Sequence, residues 1–250
     1  MRPLSTRILR TVTTLALAAM ASIGASHAAP VGGMGTWETT LQARDLDGNG
    51  SVDAYYDSTL DVTWLDASNR PKILSEQQAW VDALAPGSTQ GWRLPNVRDT
   101  GDQGCDFSYS GTDCGWNVQT RIGDITFSEL AHLFYVTLGN LGDYDTDGNQ
   151  RPGAVDVDFG FVNSGPFQNI AAGQYVTGNP LPAPFEGYSR TFATSGLQFY
   201  RWDNDLTGAI ALHEGDVGNA VPQPHGLALA LVALGLTAAS TRRRRQISAA

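Results

Sequence analysis

Each end of the chain carries a short apolar segment next to arginines, and together these segments confine folding to the residues between them. Arg2, Arg7 and Arg10 precede an apolar run over residues 11–24, and Ser26-His27-Ala28 follows with small residues where signal peptidase needs them. The pattern predicts a secretory signal over residues 1–28, removed after Ala28. The run is shorter than the roughly 20 apolar residues of a membrane span, and Pro30 and a glycine pair follow. At the other end, residues 226–240 are apolar or small throughout and lead into Arg242, Arg243, Arg244 and Arg245. Such a segment suits a bilayer, and the arginines resist translocation, so the reading puts the tail in the cytoplasm and the preceding domain outside. About 190 residues, 29–220, remain for one domain with a sizeable core.

Charge sets that domain apart from its flanks. All 25 acidic residues of the chain lie in it, against nine basic ones, giving a net charge near −16 once both ends are removed. Such a surface repels nucleic acid and anionic lipid and favours cations. Cys105 and Cys114 are the only cysteines. Export places them in an oxidising compartment, where a pair nine residues apart closes a small loop as a disulfide. The spacing is not the Cys-x-x-Cys of metal or redox pairs.

Val221-Pro222-Gln223-Pro224, the apolar stretch and the terminal arginines, in that order, resemble the PEP-CTERM sorting signal over residues 221–245. The resemblance implies recognition and removal by an exosortase in a Gram-negative bacterium that makes exopolysaccharide. It also implies transient inner-membrane anchoring and a mature protein ending near Pro222, at the cell surface or in the extracellular matrix. Gln223 stands where that family usually has Glu.

Within the domain, residues 37–43, 52–56 and 60–65 alternate as strands do, separated by Asp, Gly and Asn turns. Ser75-Glu76-Gln77-Gln78 reads as a capping box opening a helix with Ala79, Trp80, Ala83 and Leu84 on one face, stopped by Pro86-Gly87. Thr126-Phe127-Ser128-Glu129 reads as a second capping box, with Phe127, Leu130, Phe134 and Leu138 on the buried face and Gly139 as the stop. Short strands are expected at 160–162, 174–176, 189–194, 197–202 and 209–213. Two helices among antiparallel strands indicate an α+β fold.

The series Thr63-Trp64-Leu65-Asp66-Ala67, Trp80, Gly91-Trp92-Arg93-Leu94-Pro95, Glu129-Leu130, Leu133-Phe134 and Asn163-Ser164-Gly165-Pro166-Phe167 is similar to the Lcl C-terminal domain family over roughly residues 52–216. That similarity implies a C-type-lectin-like fold: two helices, twisted antiparallel sheets, and long loops carrying any binding site. This chain departs from the family at Tyr188-Ser189-Arg190-Thr191 and at His213-Glu214-Gly215.

Two loops carry candidate metal chemistry. Asp45, Asp47, Asn49 and Asp53 occupy positions 1, 3, 5 and 9 of a calcium loop, with Gly50 at position 6. Their carboxylates repel one another unless a hard cation sits between them. Position 12 is Tyr56, so closure is assigned to Asp57 or a distant group; a solvated turn held by Asx hydrogen bonds is the competing reading. Asp143, Asp145 and Asp147 repeat the first three positions, with Arg151 at position 9 and Asp156 and Asp158 as distant completers. Trp92 and Leu94 read as core with Arg93 paired to a local carboxylate, His132 as packed on the second helix, and His213 as a weak metal or acid-base candidate beside Glu214 and Asp216. Tyr188, Phe199, Tyr200 and Trp202, with Asp203, Asn204 and Asp205, have the composition of a sugar platform and equally that of a strand core.

No Gly-x-Ser-x-Gly, His-Glu-x-x-His or phosphate loop is present. The expected function is therefore a non-catalytic surface or matrix protein binding glycan or matrix components, with calcium as the candidate cofactor. The competing readings are a secreted hydrolase using paired carboxylates and a purely structural matrix protein.

Overall fold

The computed structural model describes residues 30–100, 105–154, 160–181 and 183–221. The signal, residues 222–245 of the sorting tail, and Asp156 and Asp158 lie outside these residues. The described part is a mixed α+β fold, mostly sheet with few helices.

Ten strands form one sheet. In chain order they are β1 (Leu41–Asp45), β2 (Ala54–Asp57), β3 (Val62–Lys72), β4 (Phe107–Ser108), β5 (Cys114–Gly115), β8 (Gln174–Pro180), β9 (Tyr188–Ala193), β10 (Gln198–Trp202), β11 (Thr207–Glu214) and β12 (Asn219–Ala220). Their spatial order is β12-β1-β2-β3-β11-β8-β9-β10-β5-β4, and β6 (Arg121–Ile122) and β7 (Ile125–Thr126) form a separate hairpin. Pairing is antiparallel except at β11–β8 and β4–β5. The helices are α1 (Trp37–Thr40), α2 (Leu74–Asp82) and α3 (Glu129–His132), which runs on as a wider π turn over Leu133–Thr137.

Strand alternation explains why the sheet has two cores. Successive side chains of a strand leave on opposite faces. Val62, Trp64, Ile210 and Leu212 join Leu130, Phe134 and Leu138 on one face, whereas Leu65, Ala209 and Ala211 join Val81, Trp92 and Leu94 on the other. β11 is buried on both faces over Thr207–Leu212, which is why it reads as a continuous apolar run. Two register shifts between β3 and β11 bend this central pair.

Several local expectations are corrected. Residues 37–40 form a helical turn, because the Thr36 carbonyl accepts from the backbone of Thr39 and Thr40 and from both hydroxyls, so the strand starts at Leu41. Helix α2 has no side-chain cap; Ile73 is its N-cap, and its buried residues are Gln77 and Val81, while Ala79 and Ala83 are exposed. A glutamine occupies that core position because its amide donates to the carbonyls of Arg70 and Thr207 and accepts from Asn69. The cap of α3 is Ser128, whose hydroxyl accepts from Ala131 N, and Glu129 turns away toward Arg93. Leu130, Phe134 and Leu138 are buried as expected, while Phe127 precedes the helix. Gly139 does stop the helix, at φ 71°, where the backbone of Gly35 passes so closely that a Cβ would lie 2.3 Å from Gly35 N. Residues 160–162 are not a strand; Asn140 Oδ1 accepts from Val162 N and Asn163 N and shapes a turn there. The expected strands at 174–176, 189–194, 197–202 and 209–213 are present within one or two residues at most ends, β8 continuing to Pro180. Cys105 and Cys114 form a disulfide, tying the chain to β5 with a Cα–Cα distance of 5.2 Å. Among the described residues no helix is long and apolar enough to cross a membrane.

Candidate functional site

The β1–β2 connection gathers three carboxylates. Asp45 ends β1 and Asp53 immediately precedes β2, so the antiparallel pairing that joins Arg44 to Ala54 brings both ends of the loop together. Asp53 N donates to Arg44 O, and Asp53 Oδ2 accepts from Leu46 N at 2.9 Å. Asp45 accepts from Gly48 N with Oδ1 and from Gly50 N with Oδ2, each at 2.7 Å. Both glycines have positive φ, 80° and 87°, a conformation that costs glycine nothing and lets their N–H groups turn inward. The Gly50 bond is the largest influence holding the Asp45 carboxyl below its ordinary pKa, over the opposing effect of burial. Carboxylate oxygens of Asp45, Asp47 and Asp53 all lie within 4.8 Å of one another. Calcium binds oxygen at about 2.3–2.6 Å, so oxygens on opposite sides of one ion stand roughly 4.6–5.2 Å apart, and the group suits that span.

Asn49 braces the same loop, its Oδ1 accepting from Ser51 N and its Nδ2 donating to Asp47. One expected ligand is not brought in. Asp57 is fully buried and is not in the oxygen group; it accepts from Thr59 N, Leu60 N and the Thr137 hydroxyl, joining β2 to the end of α3. Around the second loop, Asp145 Oδ1 accepts from Asp147 N and Asn149 N. The Asn149 backbone bond is the chief cause that lowers the Asp145 pKa, and burial raises that of Asp143. Among the described residues Asp143, Asp145 and Asp147 do not form a common set of ligand oxygens.

The histidines have structural surroundings. His132 is buried, neither ring nitrogen has a hydrogen-bond partner among the described residues, and burial lowers its pKa. His213 bonds the carbonyls of Glu214 and Gln90 and meets the edge of Trp92. Trp92 and Leu94 are core, as expected, but the partners of Arg93 are distant in sequence: both oxygens of Glu129, and Glu214.

The aromatic residues sort by strand face. In the β9–β10 hairpin, Gln198 faces Phe192, Tyr200 faces Arg190 and Trp202 faces Tyr188, and directly paired residues share a face. This face starts in the core at Phe192 and Gln198 and emerges at Tyr188 and Trp202. Trp202 is 54% exposed, and its ring centroid is 3.9 Å from that of Tyr188. Tyr200 meets Tyr188 edge-on, with Phe107 and Phe185 beside it. Phe199 lies on the opposite strand face, beside Arg201. Phe107 and Phe185 carry no such signal in sequence, whereas Tyr188 and Trp202 each lie seven residues from Ser195, about which the hairpin register is centred. No family model, curated protein or solved structure matches this chain.

Proposed function

We propose that this chain is an exported, non-catalytic cell-surface or matrix protein whose C-type-lectin-like domain binds glycan on the aromatic ledge of Tyr188, Tyr200 and Trp202. The supporting observation is Trp202, more than half exposed, its ring tilted 30° against that of Tyr188 with centroids 3.9 Å apart, at the end of a strand face that starts in the core. A water-exposed aromatic pair at such a place costs solvation unless a ligand covers it, and a pyranose ring with its apolar C–H face is a fitting cover. Asp203, Asn204 and Asp205 follow directly and supply acceptors and an amide for hydroxyl groups.

Calcium is the proposed cofactor, held by Asp45, Asp47 and Asp53. Bound there, it would offset two of the three carboxylate charges and cross-link the hairpin. The tail that resembles the PEP-CTERM signal supports delivery by way of signal peptidase and an exosortase. An intact arginine tail on the exported protein, by mass spectrometry, would remove that part of the reading. The two carboxylates that meet at Arg93, Glu129 and Glu214, both accept from the same guanidinium, an arrangement that serves structure and gives the hydrolase reading no support.

A glycan array probed with the exported protein, with and without EDTA, tests the function. Saturable binding is expected, weakened by about tenfold or more in Trp202→Ala, since stacked aromatic contacts carry about 1 kcal/mol or more beyond their buried area. Absence of binding to every glycan, or full binding by Trp202→Ala, would refute the ledge as the site.

A further inference from the structure

We propose that a second cleft, separate from the aromatic ledge, binds the carboxylate of an acidic sugar, a uronic acid unit, with Arg98 as its anchor. The inference rests on the glycan-binding reading for the ligand's class and on different residues for its site. The cleft has a volume of about 510 Å³ and is lined chiefly by Arg93, Asn96, Arg98, Glu129, Asn179 and Glu214. Small-ligand clefts fall at roughly 300–1,000 Å³.

Its chemistry follows from which groups are already engaged. Arg93 is spent on Glu129 and Glu214. Arg98 is exposed, its guanidinium lies 6.0 Å from the Phe127 ring centroid, and among the described residues no carboxylate is within ion-pair distance of it. Its backbone is anchored, since Arg98 N donates to Phe127 O and Val97 pairs with Ser128. Most of the domain's cations, including Arg44, Lys72, Arg121, Arg190 and Arg201, are paired with acids. A guanidinium with no acidic partner among the described residues, at a cleft wall in so acidic a domain, is a fork for a carboxylate.

The remaining wall groups suit hydroxyls. Asn179 accepts from Val97 N with Oδ1, and its Nδ2 has no partner among the described residues. The Asn96 side chain is likewise unpartnered there, and Glu214 bonds Arg93 through Oε1 alone, leaving Oε2 as an acceptor. A uronic acid unit offers one carboxylate beside several hydroxyls, matching one guanidinium beside amide donors and a carboxylate acceptor. The lining carries Arg93 and Arg98 against Asp124, Glu129 and Glu214, and Arg121, outside the lining, pairs with Asp124, so the charge about the cleft is less one-sided than the acidic balance of the whole domain.

Calorimetry on the exported protein tests the proposal, with a tetrameric polygalacturonate fragment and a neutral glucose tetramer as probes, for wild type, Arg98→Gln and Trp202→Ala. The uronate is expected to bind wild type, to lose about tenfold or more in Arg98→Gln, and to weaken as salt is raised. Neutral-glycan binding is expected to be unchanged in Arg98→Gln. Equal uronate affinity in wild type and Arg98→Gln, or no uronate binding beside a normal neutral-sugar signal, overturns the cleft and leaves the ledge standing. Loss of neutral binding alone in every protein overturns the ledge and leaves the cleft. Equal competition by a short peptide with a free C-terminal carboxylate overturns the assignment to a sugar acid.

Discussion

The loops that begin at Asp45 and Asp143 open with the same spacing of oxygen side chains, and the chain closes them differently. In the first, β1 and β2 return position 9 to position 1, so Asp53 caps Leu46 N and joins Asp45 and Asp47 within 4.8 Å. In the second, Tyr144 pairs with Gln150 in a tighter hairpin, position 9 is Arg151, and Asp145 spends one oxygen on two backbone N–H groups. The spacing of acidic residues therefore sets a turn in both places, whereas a ligand group needs a carboxylate carried back by strand pairing.

The sharpest way to break the comparison is Asp53→Ala. It removes an oxygen from the group and the bond to Leu46 N, and should lower calcium affinity by about tenfold or more, shrinking the calcium-induced rise in melting temperature. No calcium heat in wild type, or an unchanged response in the variant, would end the proposed distinction. Next in size, Arg151→Asp supplies the absent position 9 of the second loop, and titration should move from one calcium per chain to two. If it stays at one, the tighter hairpin is what prevents closure.

Removing each loop's organising residue in EDTA should give a smaller and graded effect. Asp45→Ala loses bonds from Gly48 N and Gly50 N through both carboxylate oxygens, and Asp145→Ala loses bonds from an exposed turn. Thermal melts should therefore fall further for Asp45→Ala, and Asp145→Ala should leave calcium affinity unchanged. Equal falls would show that closure adds nothing to the metal-free loop.

The smallest expected effect is in the pH dependence. Asp45 and Asp145 both have lowered pKa values, so the stability they add is present above the ordinary aspartate value of 3.8 and is lost only as pH falls through the lower folded value. His132 has the opposite consequence at higher pH. Its folded pKa lies below 6.5, because burial outweighs the opposing effect of Asp57, so the unfolded chain takes up protons first and stability declines as pH falls from about 6.5. Melts of His132→Leu should be flatter just below about pH 6.5 than those of wild type, while Asp45→Ala keeps the wild-type slope there. A wild-type slope in His132→Leu would reassign that decline.

Much of the fold was legible because its signals are local. Leu60, Val62 and Trp64 alternate with Asp61 and Thr63, Leu130, Phe134 and Leu138 recur at helical spacing, and Gly139 suits the left-handed stop. Errors arose where a distant group overruled a local rule. Gln77 faces the core because Arg70 and Thr207 offer carbonyls, and Glu129 leaves its capping role because Arg93, bridged to Leu212 outside any strand, arrives from a distant part of the chain.

For function, the division is similar. The sequence by itself determined the acidic balance, the two arginine-flanked apolar ends, the cysteine pair and the glycines that permit tight acidic turns, since each depends on residue type and near neighbours. Only the tertiary structure decided that Asp53 joins Asp45 while Asp57 does not, that Tyr188 and Trp202 emerge together, and that Arg98 lines a cleft without an acidic partner among the described residues. Those outcomes depend on which strands pair, and pairing is a free-energy balance over the whole sheet, beyond the reach of any single motif.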